Sequence, residues 1–173
     1  MNTRVLVTLS LFAAIGAVLN MVMPPFYQGM KPDMMLTMMF VGILMFPSLK
    51  NVTLLSIVTG VLAALTTTFP GGQIPNIIDK IVTAFVFYGL FLIVNKIAQK
   101  VATATVLTVI GTIVSGTIFI STALAIVGLP DGATFTVLFL TVVLPTTLFN
   151  GAAMIVIYPI IQSIFKRAKL VTA

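Results

Sequence analysis

The sequence predicts an all-α membrane protein: six transmembrane helices with both termini in the cytoplasm, forming a single integral membrane domain over residues 1–173. Two observations carry this reading. Hydrophobic residues make up 60% of the chain and charged residues only 7%, whereas a water-soluble domain carries about 25% charged residues on its surface. The few charges also fall in alternating bands between long apolar stretches. Arg4, Lys50, Lys96, Lys100, Lys166, Arg167 and Lys169 flank one set of ends, and Lys31, Asp33, Asp79, Lys80 and Asp131 the other. If every apolar stretch crosses a bilayer, the first side holds seven cations and no acid, and the second two cations and all three acids. Cationic loops stay in the cytoplasm, so the mixed-charge set is placed outside.

The elements follow in order. The first span is expected from Val5 to Val22, ending before Pro24-Pro25. It lacks a small-x-small cleavage site, which argues for a retained helix rather than a signal peptide. The second runs from Asp33 to Phe46, with Pro32 fit for a first helical turn and Pro47 as the stop. It is short for a bilayer core of about 30 Å. A re-entrant hairpin is the alternative, but the charge alternation holds only if this segment crosses. The third is expected from Val52 to Thr68, the fourth from Ile77 to Val94, and the fifth from Val101 to Val127.

The last stretch, Thr134 to Phe165, is too long for one simple crossing, at about 1.5 Å per residue. Two paths fit it. Pro145 opens the membrane helix and Thr134–Val143 lies as a short interfacial piece, or one kinked, tilted helix spans the whole. On the first path, Asn150 sits about one and a half turns below the outer surface.

Composition removes several function classes. The net charge of +6 invites a nucleic-acid reading, but the basic residues flank apolar spans instead of forming a patch. His, Cys and Glu are absent, so the usual metal clusters and His- or Cys-based catalysis are unavailable, and no cofactor or metal is expected. No G-x-x-x-x-G-K-[ST] phosphate loop occurs, so the chain is not expected to hydrolyse ATP itself.

Three groups of residues stand out. Asn76, Asp79, Lys80, Thr83 and Phe87 recur at helical spacing on one stripe of the fourth span. Ionisable groups at membrane depth are functional candidates by default, although Asp79 also suits a helix N-terminus and Lys80 can snorkel outward. Gln73 precedes this stripe. The first outer loop, Pro24 to Asp33, combines rigid prolines, Gly29, two aromatics (Phe26 and Tyr27) and the pair Lys31 and Asp33. Such a segment suits a lid over an amphipathic solute, or equally an interfacial anchor. Thr146, Thr147 and Asn150 form a polar patch on the last span, which fits either a ligand contact or an interhelical hydrogen bond. Ala13 and Ala17, with Gly16 beside them, make a flat stripe on the first span that lets another helix approach, and spacing alone favours a helix of the same chain; Gly111 with Ser115 shows the same spacing and is read as packing. Met34, Met35, Met38 and Met39 are expected in packing. A zwitterionic solute in an apolar protein needs both charges compensated, and Lys31, Asp33, Asp79 and Lys80 supply both signs.

The segments Leu11-Phe-Ala-Ala-Ile-Gly-Ala17, Gly29-Met-Lys-Pro-Asp-Met-Met35, Gly72-Gln-Ile-Pro-Asn-Ile-Ile-Asp-Lys80 and Ile155-Val-Ile-Tyr-Pro159 carry a family resemblance. The chain resembles the S components of energy-coupling-factor (ECF) transporters, and within them the bacterial tryptophan-transporter family. The resemblance implies an S-component-like bundle that captures a solute, tryptophan first, from the outer face. A vitamin S component and a stand-alone proton- or sodium-coupled transporter are the alternatives. It further implies a membrane coupling subunit and two cytoplasmic ATPases as partners, with Ala13 and Ala17 as the contact to the coupling subunit. The residues themselves make Lys31, Asp33, Gln73, Asn76, Asp79, Lys80 and Thr83 the candidate solute site, and the resemblance adds Asn150, which matches an Asn on the sixth helix of several S components. The chain has no Trp to stack on an indole, so Phe26, Tyr27, Phe69 or Phe87 would serve.

Overall fold

A computed structural model describes residues 2–25, 29–94, 100–130 and 133–167. All regular structure in these segments is helical: α1 (Thr3–Val22), α2 (Met34–Met45), α3 (Leu49–Thr66), α4 (Gln73–Val94), α5 (Val101–Ile126) and α6 (Phe135–Arg167). Five of the six are long and apolar enough to cross a membrane, and α2, at 12 residues, is not. The chain is a multi-pass membrane protein. Its outer surface carries Val7, Leu11, Leu65, Ile93, Leu148 and many other large apolar side chains, which a lipid environment solvates and water does not.

Each boundary has a local cause. Asn2 caps α1 by accepting from the Arg4 N–H at 3.1 Å. Asp33 caps α2 by accepting from the Leu36 N–H at 3.0 Å, and Ser48 caps α3 by accepting from the Asn51 N–H. α4 begins four residues before the expected Ile77, because Pro75 falls in the first turn, where its missing N–H costs nothing. The Gly72 carbonyl then accepts from both the backbone and the side-chain nitrogen of Asn76. Asp79 and Lys80 therefore lie in the second turn of α4 rather than the first.

The long last stretch is one continuous helical run, the single-helix path of the two the sequence allowed. The turn Phe135–Leu138 passes into a π-helical segment, Phe139–Val143, and then into α-helix from Leu144 to Arg167. The Leu144 N–H reaches back to the Phe139 carbonyl, the wider π register. The wider turn comes immediately before Pro145, which has no N–H to give and whose ring crowds the preceding turn of an α-helix.

α2 is the centre of the bundle. All of its residues are buried, and it packs against α1, α3, α4, α5 and α6. The methionines and Phe40 fill the gaps between these neighbours, as their flexible side chains suit. Phe40 stacks face to face on Phe87 with ring centres 4.0 Å apart. Gly111 makes room for that pair, since a Cβ there would lie 2.6 Å from the Phe40 ring. The far end of α2 meets Phe165, close to the last turn of α6.

Candidate functional site

Successive helices alternate in direction, so the C-terminal ends of α1, α3 and α5 meet the N-terminal ends of α2, α4 and α6 at one pole. A half-open cleft lies there, lined among others by Asn20, Lys31, Asp33, Lys80, Ser115 and Phe119. Among the described residues, the opposite pole carries Arg4, Lys50, Lys100, Lys166 and Arg167 and no acid.

One wall of the cleft is a buried ionic network. Lys80 and Asp79 are each 1% exposed, and the Asp33 side chain 23%. The Lys80 ammonium lies 2.5 Å from Asp33 Oδ2 and 2.5 Å from Asp79 Oδ2. Asp79 also accepts from Thr83 Oγ1 at 2.8 Å and from Ser115 Oγ at 2.9 Å. Helical spacing on α4 aligns Asp79 with Thr83, and α5 brings Ser115 across. With three donors on its two oxygens, Asp79 is committed within the protein. Among the described residues Asp33 accepts only from Lys80 and from the backbone N–H it caps, and it is the carboxylate open to the cleft. The three groups together carry one net negative charge.

A second wall is held by Thr66, the last residue of α3. Its carbonyl accepts from the Lys31 ammonium at 3.3 Å, and its hydroxyl accepts from the Asn20 amide at 3.1 Å. Beside it, Thr68 Oγ1 donates to the Gly29 carbonyl at 2.6 Å, clasping the first loop to the loop after α3. Gly29 has φ of +78°, and a Cβ there would lie 2.5 Å from the Thr68 carbonyl, so only glycine fits. Burial pushes the Lys31 ammonium below its ordinary pKa, against the opposing pull of Asp33.

The inner end of the cleft is polar. Thr112 and Thr146 line it, and Asn150 Nδ2 donates to Thr112 Oγ1 at 3.3 Å. The Thr112 hydroxyl proton is already given to the Thr108 carbonyl. The amide of Asn150 must therefore present nitrogen to Thr112, which leaves its Oδ1 without a donor among the described residues. Thr146 Oγ1 is likewise buried without a partner among them. A buried acceptor in that state costs about 1–3 kcal/mol unless a ligand or water supplies an N–H or O–H. The aromatic side is Phe69 against Phe119, edge to face at 5.4 Å.

The structure gathers Lys31, Asp33, Asn76, Asp79 and Lys80 at the cleft, with Thr83 behind Asp79 and Asn150 behind Thr112. Gln73 is exposed at the start of α4 and lies off the cleft. Lys80 does not snorkel outward, because two aspartates hold it inside. Phe87 is in the core against Phe40. Phe26, Tyr27 and Asp131 lie outside the described residues. Ala13 and Ala17 face inward: Ala17 packs with Met35 and Ala63, and a side chain at Gly16 would meet Met35 and Met38. The stripe is thus used within the chain, and the outward face of α1 shows Ser10 and Ala14 instead. Sequence reasoning missed Asn20, Thr112, Ser115 and Phe119. Ser115 was visible only as half of a small-residue pair with Gly111, a spacing that says packing and not ligand.

The chain matches the sequence profile of the family described as "Tryptophan transporter TrpP" over residues 2–166. It is 58% identical over 173 residues to a "Probable tryptophan transport protein" of Bacillus subtilis (strain 168), covering 100% of this chain and 99% of the relative. A protein of the same description from Clostridium acetobutylicum is 48% identical over 159 residues, 91% of each chain. One from Clostridium perfringens is 36% identical over 179 residues, covering 98% of this chain and 97% of the relative. No solved structure matches the chain.

Proposed function

This chain belongs to the tryptophan transporter TrpP family, and from that premise we propose that it is the substrate-binding membrane subunit of an ECF-type importer for tryptophan. The observation that carries the proposal is the cleft, which joins a buried ionic network to an aromatic wall. The charge alternation supports six crossings, α2 included, with the cleft outside and both termini in the cytoplasm. Tryptophan enters from outside. Its ammonium group meets Asp33, the carboxylate with capacity to spare. Its indole lies against Phe69 and Phe119, and the indole N–H is offered to the polar floor, where Thr146 Oγ1 lines the cleft without a partner among the described residues. Apolar walls with a few fixed polar groups are the usual make-up of a small-molecule site.

Release inside is driven by a membrane coupling subunit and two cytoplasmic ATPases. That division of labour fits a chain without a phosphate-binding loop of its own. A carboxylate relay for protons finds little support in Asp79, whose oxygens are engaged by a lysine and two hydroxyls of the same chain.

Uptake of labelled tryptophan tests the proposal. Uptake should require the coupling subunit and the ATPases and survive collapse of the proton and sodium gradients. Uptake by the chain alone, lost when a gradient is collapsed, would make it a secondary transporter. Preference for a vitamin over every aromatic amino acid would keep the S-component role and reject tryptophan.

A further inference from the structure

We infer that Asn20 is a substrate-positioning residue, forming with Lys31 the end of the cleft that receives the carboxylate of the bound amino acid. The inference rests on the tryptophan reading and adds the orientation of the substrate.

The sequence offers two lysines for a carboxylate, and the structure separates them. Lys80 lies between Asp33 and Asp79, so its charge is more than cancelled locally. An anion approaching Lys80 meets two aspartates at the same distance and is repelled. Lys31 differs. Among the described residues no carboxylate is within ion-pairing distance of it, and its hydrogen bond among them goes to the Thr66 carbonyl. An ammonium has three protons to give, which leaves two. Burial already weighs against its charge, so an anion that restores the balance is favoured there.

Asn20 is the second donor. It is 6% exposed at the outer end of α1 and lines the cleft. The Thr66 hydroxyl proton is given to the Leu62 carbonyl at 2.9 Å, so that oxygen can only accept from Asn20. The amide is thereby fixed with its nitrogen on Thr66 and a second N–H left over. Lys31 is tied to the same residue through its carbonyl. One turn-end thus brings a neutral and a charged donor together, as a carboxylate requires. Asp33, two residues from Lys31, then stands ready for the ammonium group on the adjacent carbon.

Binding of tryptophan and tryptamine, which lacks the carboxylate, to the purified chain tests this. Wild type should bind tryptophan more tightly than tryptamine. Asn20→Ala and Lys31→Met should each weaken tryptophan by about tenfold or more, as loss of a hydrogen bond to a charged group does. Tryptamine affinity should stay within about twofold in both, which also shows that the variants are folded. Lys31→Met reads the same arm from a loop, without touching α1. Equal losses for both ligands would mean that Asn20 serves the ammonium or the fold, and would overturn the inference. So would unchanged tryptophan affinity in both variants. A wild type that binds neither ligand would instead bring down the tryptophan reading itself.

Discussion

Replacing Lys80 with methionine tests the buried network most severely. The substitution keeps roughly the same length and removes the charge. It leaves Asp33 and Asp79 facing one another in a site where Asp79 is 1% exposed. The network goes from one net negative charge to two, with no cation to mediate. Breaking a buried pair by removing one partner costs about 3–5 kcal/mol. For a chain of this size each kcal/mol is worth roughly 2–4 °C of melting temperature, so Lys80→Met should melt roughly 10 °C lower. The triple variant Asp33→Asn, Asp79→Asn, Lys80→Met removes every charge at once and should recover most of that loss. It should not recover tryptophan binding, because the partner for the ammonium group is gone. Asp33→Asn alone keeps the neutral Lys80–Asp79 pair and should be close to wild type in stability. It should lose about 2–5 kcal/mol of binding, a roughly 30-fold or greater fall in affinity. Thermal unfolding in detergent, followed without ligand, reads the stability arm. If Lys80→Met melts within about 2 °C of wild type, the lysine is not the buried keystone described above and the reasoning fails.

Other consequences can be measured alongside. Gly29→Ala forces a side chain into a positive-φ position against the Thr68 carbonyl, costing about 1–2 kcal/mol of backbone strain alone; tryptophan affinity should fall, and an unchanged affinity would show that the loop clasp plays no part in the site. Ala13→Leu and Ala17→Leu should destabilise the chain by about 1–3 kcal/mol through overpacking, whereas Ala14→Leu on the outward face should leave its melting temperature unchanged. Co-purification with the proposed coupling subunit then decides whether such a partner reads the outward face. Single cysteines, clean in a chain that has none, should label from outside at position 31 and from inside at position 50; the reverse pattern would invert the topology.

How much of this was legible beforehand follows from what sequence patterns can express. The apolar stretches and the alternation of charge are one-dimensional signals, and they located every helix. The stripe Asn76, Asp79, Lys80, Thr83, Phe87 was readable for the same reason, since helical spacing fixes which residues share a face. What lies across from that face is not encoded in spacing. That is why Ser115, Asn20 and Phe119 were not found, and why Phe87 was offered as an indole partner when Phe40 already covers it. The inward turn of Ala13 and Ala17 agrees with what their spacing alone favours, packing within the chain, and not with the coupling-subunit contact that the family resemblance assigned to them. The π segment before Pro145 is a further case: the proline announced a disturbance, and only the neighbouring helices decide how it is accommodated.

The central claim is that the cleft holds tryptophan, and the chain's own composition makes the direct measurement possible. The protein contains no Trp, so any indole emission in a titration of purified chain with L-tryptophan comes from the ligand. The account predicts a saturable, blue-shifted emission with one site per chain, as the ring leaves water for the wall of Phe69 and Phe119, and loss of that signal in Asp33→Asn. Emission that stays at its aqueous position at every concentration, while another solute raises the melting temperature, would contradict it.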